Sequence, residues 1–358
     1  MWHWSFADEI LAMIFEAGYT SDLKGNRFAI TLSHVNVRFR HISLKNPRLW
    51  STVTNYQGAS ELEEFLARSK QSGISVKVSG EQIPATTSAD IFFPLVIPHR
   101  HRWIEFVHEF DDDLGVADSP SQLAETTFEL PMLKRLIDHS AYLSSTLAKW
   151  HMPSLAEYSG EWFPGCSSTS LVSCALNLLW DSEPEFAGLD GLLSLLSNNP
   201  GIRSITLLFH ECIKYMVRGR VDSKASLPCL ETFSVEFVGG CHNVDDDLKL
   251  FLESLHLPRL SEFSLQLSPH PDSDRTHPSD TDTIFRILLR NLYSTVQTLN
   301  LVADAVYEIC CTDLENLIAG LPSLRRLYVE APGLRPTSGI WQGDPPPPLH
   351  YVELSKCD

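Results

Sequence analysis

Nowhere in the 358 residues do about 18 apolar side chains run without a break, the length a helix needs to cross a bilayer. The opening Met1-Trp2-His3-Trp4 also lacks the basic stretch and apolar core of a secretory leader. The expectation is a soluble, non-secreted protein of the cytoplasm or nucleus, with no membrane partner. Positive charge is scarce too: 28 Lys+Arg stand against 45 Asp+Glu, for a formal net charge of -17. A phosphate backbone would meet net repulsion, which argues against a nucleic-acid partner.

The eight cysteines, at 166, 174, 212, 229, 241, 310, 311 and 357, never take the Cys-x-x-Cys spacing of a zinc ribbon or redox pair. Free thiols in a reducing compartment fit that scatter. Also missing are a Ser-centred nucleophile elbow, a Walker loop, a dinucleotide glycine fingerprint and a His-Glu-x-x-His pair. The sequence therefore predicts no catalytic residue, no cofactor and no metal, and a chain that is not an enzyme.

What is present is a globular balance, 43% hydrophobic and 20% charged. A period organises it. The segment Leu349-His350-Tyr351-Val352-Glu353-Leu354-Ser355-Lys356-Cys357 spaces apolar anchors as L-x-x-L-x-L-x-x-C. The same three-anchor spacing recurs at Leu324/Leu327/Val329, Val296/Leu299/Leu301, Leu260/Phe263/Leu265, Leu230/Phe233/Val235 and Ile202/Ile205/Leu207. This pattern resembles a leucine-rich repeat, whose units run about 20 to 29 residues. The longest step, from Val296 back to Leu260, contains the polar run Pro269 to Asp280, which reads as an inserted surface loop.

Between anchors, Leu189 to Leu196, Leu248 to Leu255, Ile284 to Leu292 and Leu314 to Leu321 carry apolar residues at three- and four-residue intervals, so each repeat is expected to be a strand plus a helix. Leu227-Pro228, Leu257-Pro258, Leu321-Pro322 and Asn199-Pro200 mark the helix-to-strand step, because proline cannot continue a helix. A weaker pattern continues upstream through Leu171 to Leu178, Leu155/Tyr158, Leu133/Leu136, Trp103/Phe106 and Ile74 to Val78. Stacked units of this kind bury their anchors against one another, each contributing about 1.5 to 3 kcal/mol. The ninth position, occupied by Cys357, holds His210, Val238, Ser268, Asp304 and Pro332 elsewhere, which predicts an irregular stack.

Residues 1–50 read differently. Ser5-Phe6-Ala7-Asp8 is a capping-box-like start to a helix bearing Ile10, Leu11, Ile14 and Phe15, with Gly18 as its stop. A second stripe runs Phe28, Leu32, Val35, Phe39 and Ile42 and ends before Asn46-Pro47. Asp8 to Phe15, Leu32 to Ile42 and Asn46-Pro47-Arg48-Leu49-Trp50-Ser51 together resemble an F-box, most closely those heading many fungal F-box proteins. The match departs where that family has Leu-Pro (here Phe6-Ala7) and Cys and Trp (here Asn36 and Phe39).

The fold expectation is thus α/β, with an F-box-like helical module at 1–50 and an irregular leucine-rich-repeat solenoid at 51–358. The resemblance implies a substrate-recognition subunit of a Skp-cullin-F-box ubiquitin ligase. In that family the helical module docks on the Skp adaptor and the repeats recruit a protein target, here unidentified. Matched to the motif, the adaptor-binding residues are Ile10, Leu11, Ile14, Phe15, Val35, Phe39, Leu49 and Trp50, some of which must instead hold the module together. The target-binding residues lie between the second and third anchors and should face out of a concave sheet: Thr206, Ser234, Ser264, Asn300, Tyr328 and Glu353. The alternative is a non-catalytic repeat scaffold whose F-box-like head is a solenoid cap.

Four further features invite chemistry. His99, His101 and His108 could be imagined as metal ligands, yet Arg100 and Arg102 would repel a cation, so a strand entry with solvated histidines is the plainer reading. Asp111 to Asp113 and Asp245 to Asp247 lack the alternating oxygen ligands and glycine of a calcium loop. Pro345 to Pro348 reads as a stiff connector rather than a polyproline ligand.

Overall fold

The computed structural model is described over residues 7–21, 26–79, 87–109, 127–139, 147, 149–161, 170–179, 188–210, 224–238, 251–268, 294–304, 309–332, 334–335 and 348–356. It is α/β. Twelve strands share one parallel hydrogen-bonded order that follows the chain, and the residues form two compact units, Met1–Glu157 and Tyr158–Asp358.

The first unit opens with helices α1 (Asp8–Ser21), α2 (Asn26–Val35) and α3 (Val37–Lys45) and a 3-10 turn, Pro47–Trp50. The stripe from Phe28 to Ile42 is therefore two helices. Asn36 breaks it with an extended backbone, and its side-chain carbonyl accepts the Phe39 N–H at 2.8 Å, capping α3. Gly18 does not stop α1, which runs on to Ser21. A Cβ at Gly18 would lie 2.7 Å from Phe28 Cζ, so glycine there lets α2 approach closely.

Parallel strands β1 (Thr52–Thr54), β2 (Ile74–Ser79), β3 (Trp103–Glu109) and β4 (Arg135–Asp138) then pair side by side. Such pairs need crossovers, and α4 (Ala59–Ser69) and α5 (Ala89–Val96) supply two of them. Val53, Val76, Phe106 and Leu136 stand in one buried row across these strands. Strand β5 (Glu157–Glu161) follows.

In the second unit, β6 (Ser173–Leu179) pairs with β7 (Ser204–His210) after helix α6 (Gly188–Asn198). Next come β8 (Ala225–Ser226), β9 (Thr232–Val238), β10 (Leu255–His256), β11 (Glu262–Ser268), β12 (Thr298–Ala303), β13 (Ile309–Cys310), helix α7 (Cys311–Ala319), β14 (Arg326–Glu330), β15 (Leu334–Arg335) and β16 (Tyr351–Ser355). The long strands continue the main sheet in the order β7, β9, β11, β12, β14, β16, while β8 pairs with β10 and β13 with β15. The expected helices at 189–196 and 314–321 are present. That at 248–255 is described only from 251, where a helix ends before β10, and that at 284–292 lies outside the described residues, as does the loop at 269–280.

One local device precedes six of the strands. The N–H of the first anchor donates to the carbonyl three residues earlier, closing a β-turn with proline at its second position: Ile202 to Asn199, Leu230 to Leu227, Leu260 to Leu257 and Leu324 to Leu321. Leu133 to Leu130 and Leu155 to Met152 make the same turn around Pro131 and Pro153. One carbonyl then accepts two successive N–H groups of the next strand, as Arg203 does from Glu231 and Thr232, and Glu231 does from Ser261 and Glu262.

The anchors from Ile202 to Val329 are all buried, in rows such as Leu207, Val235, Leu265, Leu301 and Val329. Strand β16 departs from that expectation: Val352 and Leu354 are 49% and 58% exposed. Among the described residues β16 has a neighbour in the main sheet on one side only, β14, so its anchors lack half the surroundings that bury the others.

Candidate protein-interaction surfaces

Two surfaces emerge, one in each unit. In the N-terminal helices, the eight residues matched to the F-box motif divide by burial. Leu11, Phe15, Leu49 and Trp50 are interior. Phe15 meets the half-buried Phe39 edge to face at 4.9 Å, and Trp50 packs on Phe65 at 5.0 Å while its Nε1 donates to the Ser43 carbonyl at 2.8 Å. These side chains hold the module together.

Ile10 and Ile14 face solvent at 44% and 50% exposure, and Met13, three residues after Ile10, is 67% exposed. Spacing at i, i+3 and i+4 puts all three on one stripe of α1. Val35 and Val37, flanking the Asn36 cap, are also exposed. Met13 and Val37 escaped the sequence reading because it followed the family motif rather than asking which apolar residues the core leaves over. Elsewhere on the module, Arg38 pairs with Asp8 at 2.8 Å and Arg48 with Glu16 at 3.2 Å.

The second surface is the solvent side of the sheet in Tyr158–Asp358. Thr206, Ser234, Ser264, Asn300, Tyr328 and Glu353 stand opposite one another in that order on β7, β9, β11, β12, β14 and β16. The first five alternate with buried anchors, whereas Glu353 lies between the exposed Val352 and Leu354, and none of the six is buried. Flanking rows lie on the same face. One is Ser204, Thr232, Glu262, Thr298, Arg326 and Tyr351; the other is Leu208, Glu236, Gln266, Val302, Glu330 and Ser355. The central row is mostly neutral, and the charge sits beside it.

The three histidines weighed as ligands are not brought together as a site. His99 and His101 belong to the 3-10 turn Ile97–Arg102, whereas His108 lies in β3 with its side chain buried. Sequence reading took all three as solvated; β3 instead turns His108 inward, where Nδ1 lies 3.0 Å from Asp138 Oδ1 on β4. Burial, then the neighbouring Arg102 and His101 charges, holds the His99 imidazole below its ordinary pKa. Arg102 is itself buried, donating to Ser69 Oγ at 2.8 Å at the end of α4, and desolvation lowers its pKa. Among the described residues no three His, Cys, Asp or Glu side chains could hold one metal ion. Asp111 to Asp113, Asp245 to Asp247 and Pro345 to Pro347 lie outside the described residues.

No helix among the described residues is long and apolar enough to cross a membrane. No protein-family model matches this chain, and no curated protein matches it in sequence.

Proposed function

We propose that this chain is the substrate-recognition subunit of a Skp-cullin-F-box type ubiquitin ligase, acting in the cytoplasm or nucleus. The N-terminal helices dock on the Skp adaptor, a leucine-rich-repeat solenoid holds a protein target, and other subunits transfer the ubiquitin. The observation that carries the reading is the stripe Ile10, Met13 and Ile14, left in water by a module whose core is already filled by Leu11, Phe15, Leu49 and Trp50. Burying a side chain of that size is worth about 1.5 to 3 kcal/mol, so the stripe is an incentive for a partner surface.

A second reading, a repeat scaffold capped by an F-box-like head, is supported by the ties between the helices and the first strand. The Tyr19 hydroxyl donates to Thr52 Oγ1 on β1, and Trp50 packs on Phe65 of α4. A cap needs only the buried side of the module; a receptor needs the exposed side as well.

The test is co-expression with a Skp adaptor and a pull-down, comparing the native chain with Ile10→Asp/Ile14→Asp. Both positions are exposed, so the variant keeps its circular-dichroism spectrum. Saturable binding by the native chain, lost in the folded variant, supports the receptor. No binding by the native chain sinks it and leaves the scaffold.

A further inference from the structure

The outward face of the second unit is electrostatically lopsided. Strands β6 and β7 contribute Ser173, Ala175, Asn177, Ser204, Thr206 and Leu208, all uncharged. From β9 onward the face carries Glu236, Glu262, Glu330 and Glu353 against one arginine, Arg326.

Three of those carboxylates are held by neutral donors. Glu236 accepts from Gln266 Nε2 at 3.0 Å and Ser268 Oγ at 3.5 Å, Glu262 from Asn300 Nδ2 at 3.1 Å, and Glu353 from the Tyr351 hydroxyl at 2.7 Å. Neutral donors fix a carboxylate in place without cancelling its charge. Among the described residues, Glu330 alone of the four makes an ion pair, with Lys356 at 2.5 Å.

Beside Glu353 the rings of Tyr328 and Tyr351 meet at 5.3 Å with a 47° tilt, offering π surface to a cation. The Glu353 carboxylate raises the Tyr351 pKa, first through their hydrogen bond and then through its charge. Fixed negative charge with aromatic faces is complementary to guanidinium and ammonium groups and repels phosphate.

We propose that this face, from β9 to β16, binds an extended Lys/Arg-rich segment of a protein partner. Five adjacent strands about 4.8 Å apart span about 19 Å, which an extended chain covers in about six residues at about 3.3 Å each. The occupant is thus a short basic stretch crossing the strands. This deepens the target half of the receptor reading and rests on it for the segment's role as a ubiquitylation target, though not for the binding itself.

The experiment is fluorescence anisotropy on the full chain with a labelled decapeptide of alternating Arg and Ser, and with its Glu-Ser counterpart. The face variant is Glu236→Gln/Glu262→Gln/Glu353→Gln, which keeps side-chain size and hydrogen-bond acceptors. The control is Glu9→Gln/Glu63→Gln/Glu253→Gln, three exposed positions on none of the strands β9 to β16 that form the face, with the same change in net charge.

The native chain should bind the Arg peptide and not the Glu peptide. The face variant should weaken binding by at least roughly tenfold and the control by less than about twofold. Equal weakening in both variants would assign the attraction to the net charge of -17 and overturn the proposal, as would no binding by the native chain at low salt. Adaptor pull-down of the face variant separates the two readings: it should be unchanged where the receptor reading holds, and failure of adaptor binding leaves the peptide result standing.

Discussion

His108 and Asp138 face each other from adjacent strands with Nδ1 and Oδ1 3.0 Å apart, both almost wholly buried. They stand two positions beyond the buried Phe106 and Leu136 on their own strands, as Leu207, Val235 and Leu265 stand two positions beyond Ile205, Phe233 and Phe263 in the second unit. A leucine-rich lane has been replaced here by a polar pair stacked beside Phe106, 6.1 Å from His108.

Asp138→Ala takes away the carboxylate that lies against the buried His108 Nδ1 and leaves a hole in its place. Asp138→Ala should therefore destabilise the first unit by about 3 kcal/mol, read as a lower urea midpoint. Replacing both by leucine restores the lane and should recover much of that loss. A double variant no more stable than Asp138→Ala would show that the pair is not an isolated interaction.

Asn36 bears on the N-terminal surface through its cap on α3. Asn36→Ala removes the acceptor of the Phe39 N–H and should cost about 1 kcal/mol, with reduced helicity by circular dichroism. Asn36→Asp keeps the acceptor and should retain native stability. Because the flanking Val35 and Val37 are exposed, the alanine variant should also weaken adaptor binding in the pull-down.

His99 gives a pH dependence with a defined sign. Its folded pKa lies below the ordinary 6.5, chiefly because of burial, so the unfolded chain binds the proton more readily. Its contribution to stability is intact above 6.5 and is lost as pH falls from there through the lowered folded value. Melting temperatures at successive pH values should drop across this window in the native chain and drop less in His99→Gln. Parallel profiles for the two would assign the acid sensitivity to other groups.

The anchors were legible because their spacing is local: Ile202 to Val329 recur at fixed offsets, and the prolines after Leu227, Leu257 and Leu321 announce each entry. The turns at Leu130-Pro131-Met132-Leu133 and Met152-Pro153-Ser154-Leu155 carry the same signal and could have been read with it. Asn36 was visible only as a departure from the F-box motif, although asparagine is among the residues preferred at a helix N-cap. Val352 and Leu354 match the anchor spacing yet stay exposed, since burial depends on a neighbour that spacing does not supply.

The sequence by itself determined the strands from Ser204–His210 to Arg326–Glu330, the helices Gly188–Asn198 and Cys311–Ala319, the proline turns before the strands and the apolar composition of the N-terminal helices. Those depend on periodicity and backbone chemistry within a few residues. Tertiary structure decided which of Ile10, Leu11, Ile14 and Phe15 remain in solvent, and that His108 meets Asp138. It also decided which residues share the face with Glu236, Glu262 and Glu353. These are pairings across tens of residues, fixed by register between strands and by how fully each core fills, and neither quantity is written in any local stretch of the chain.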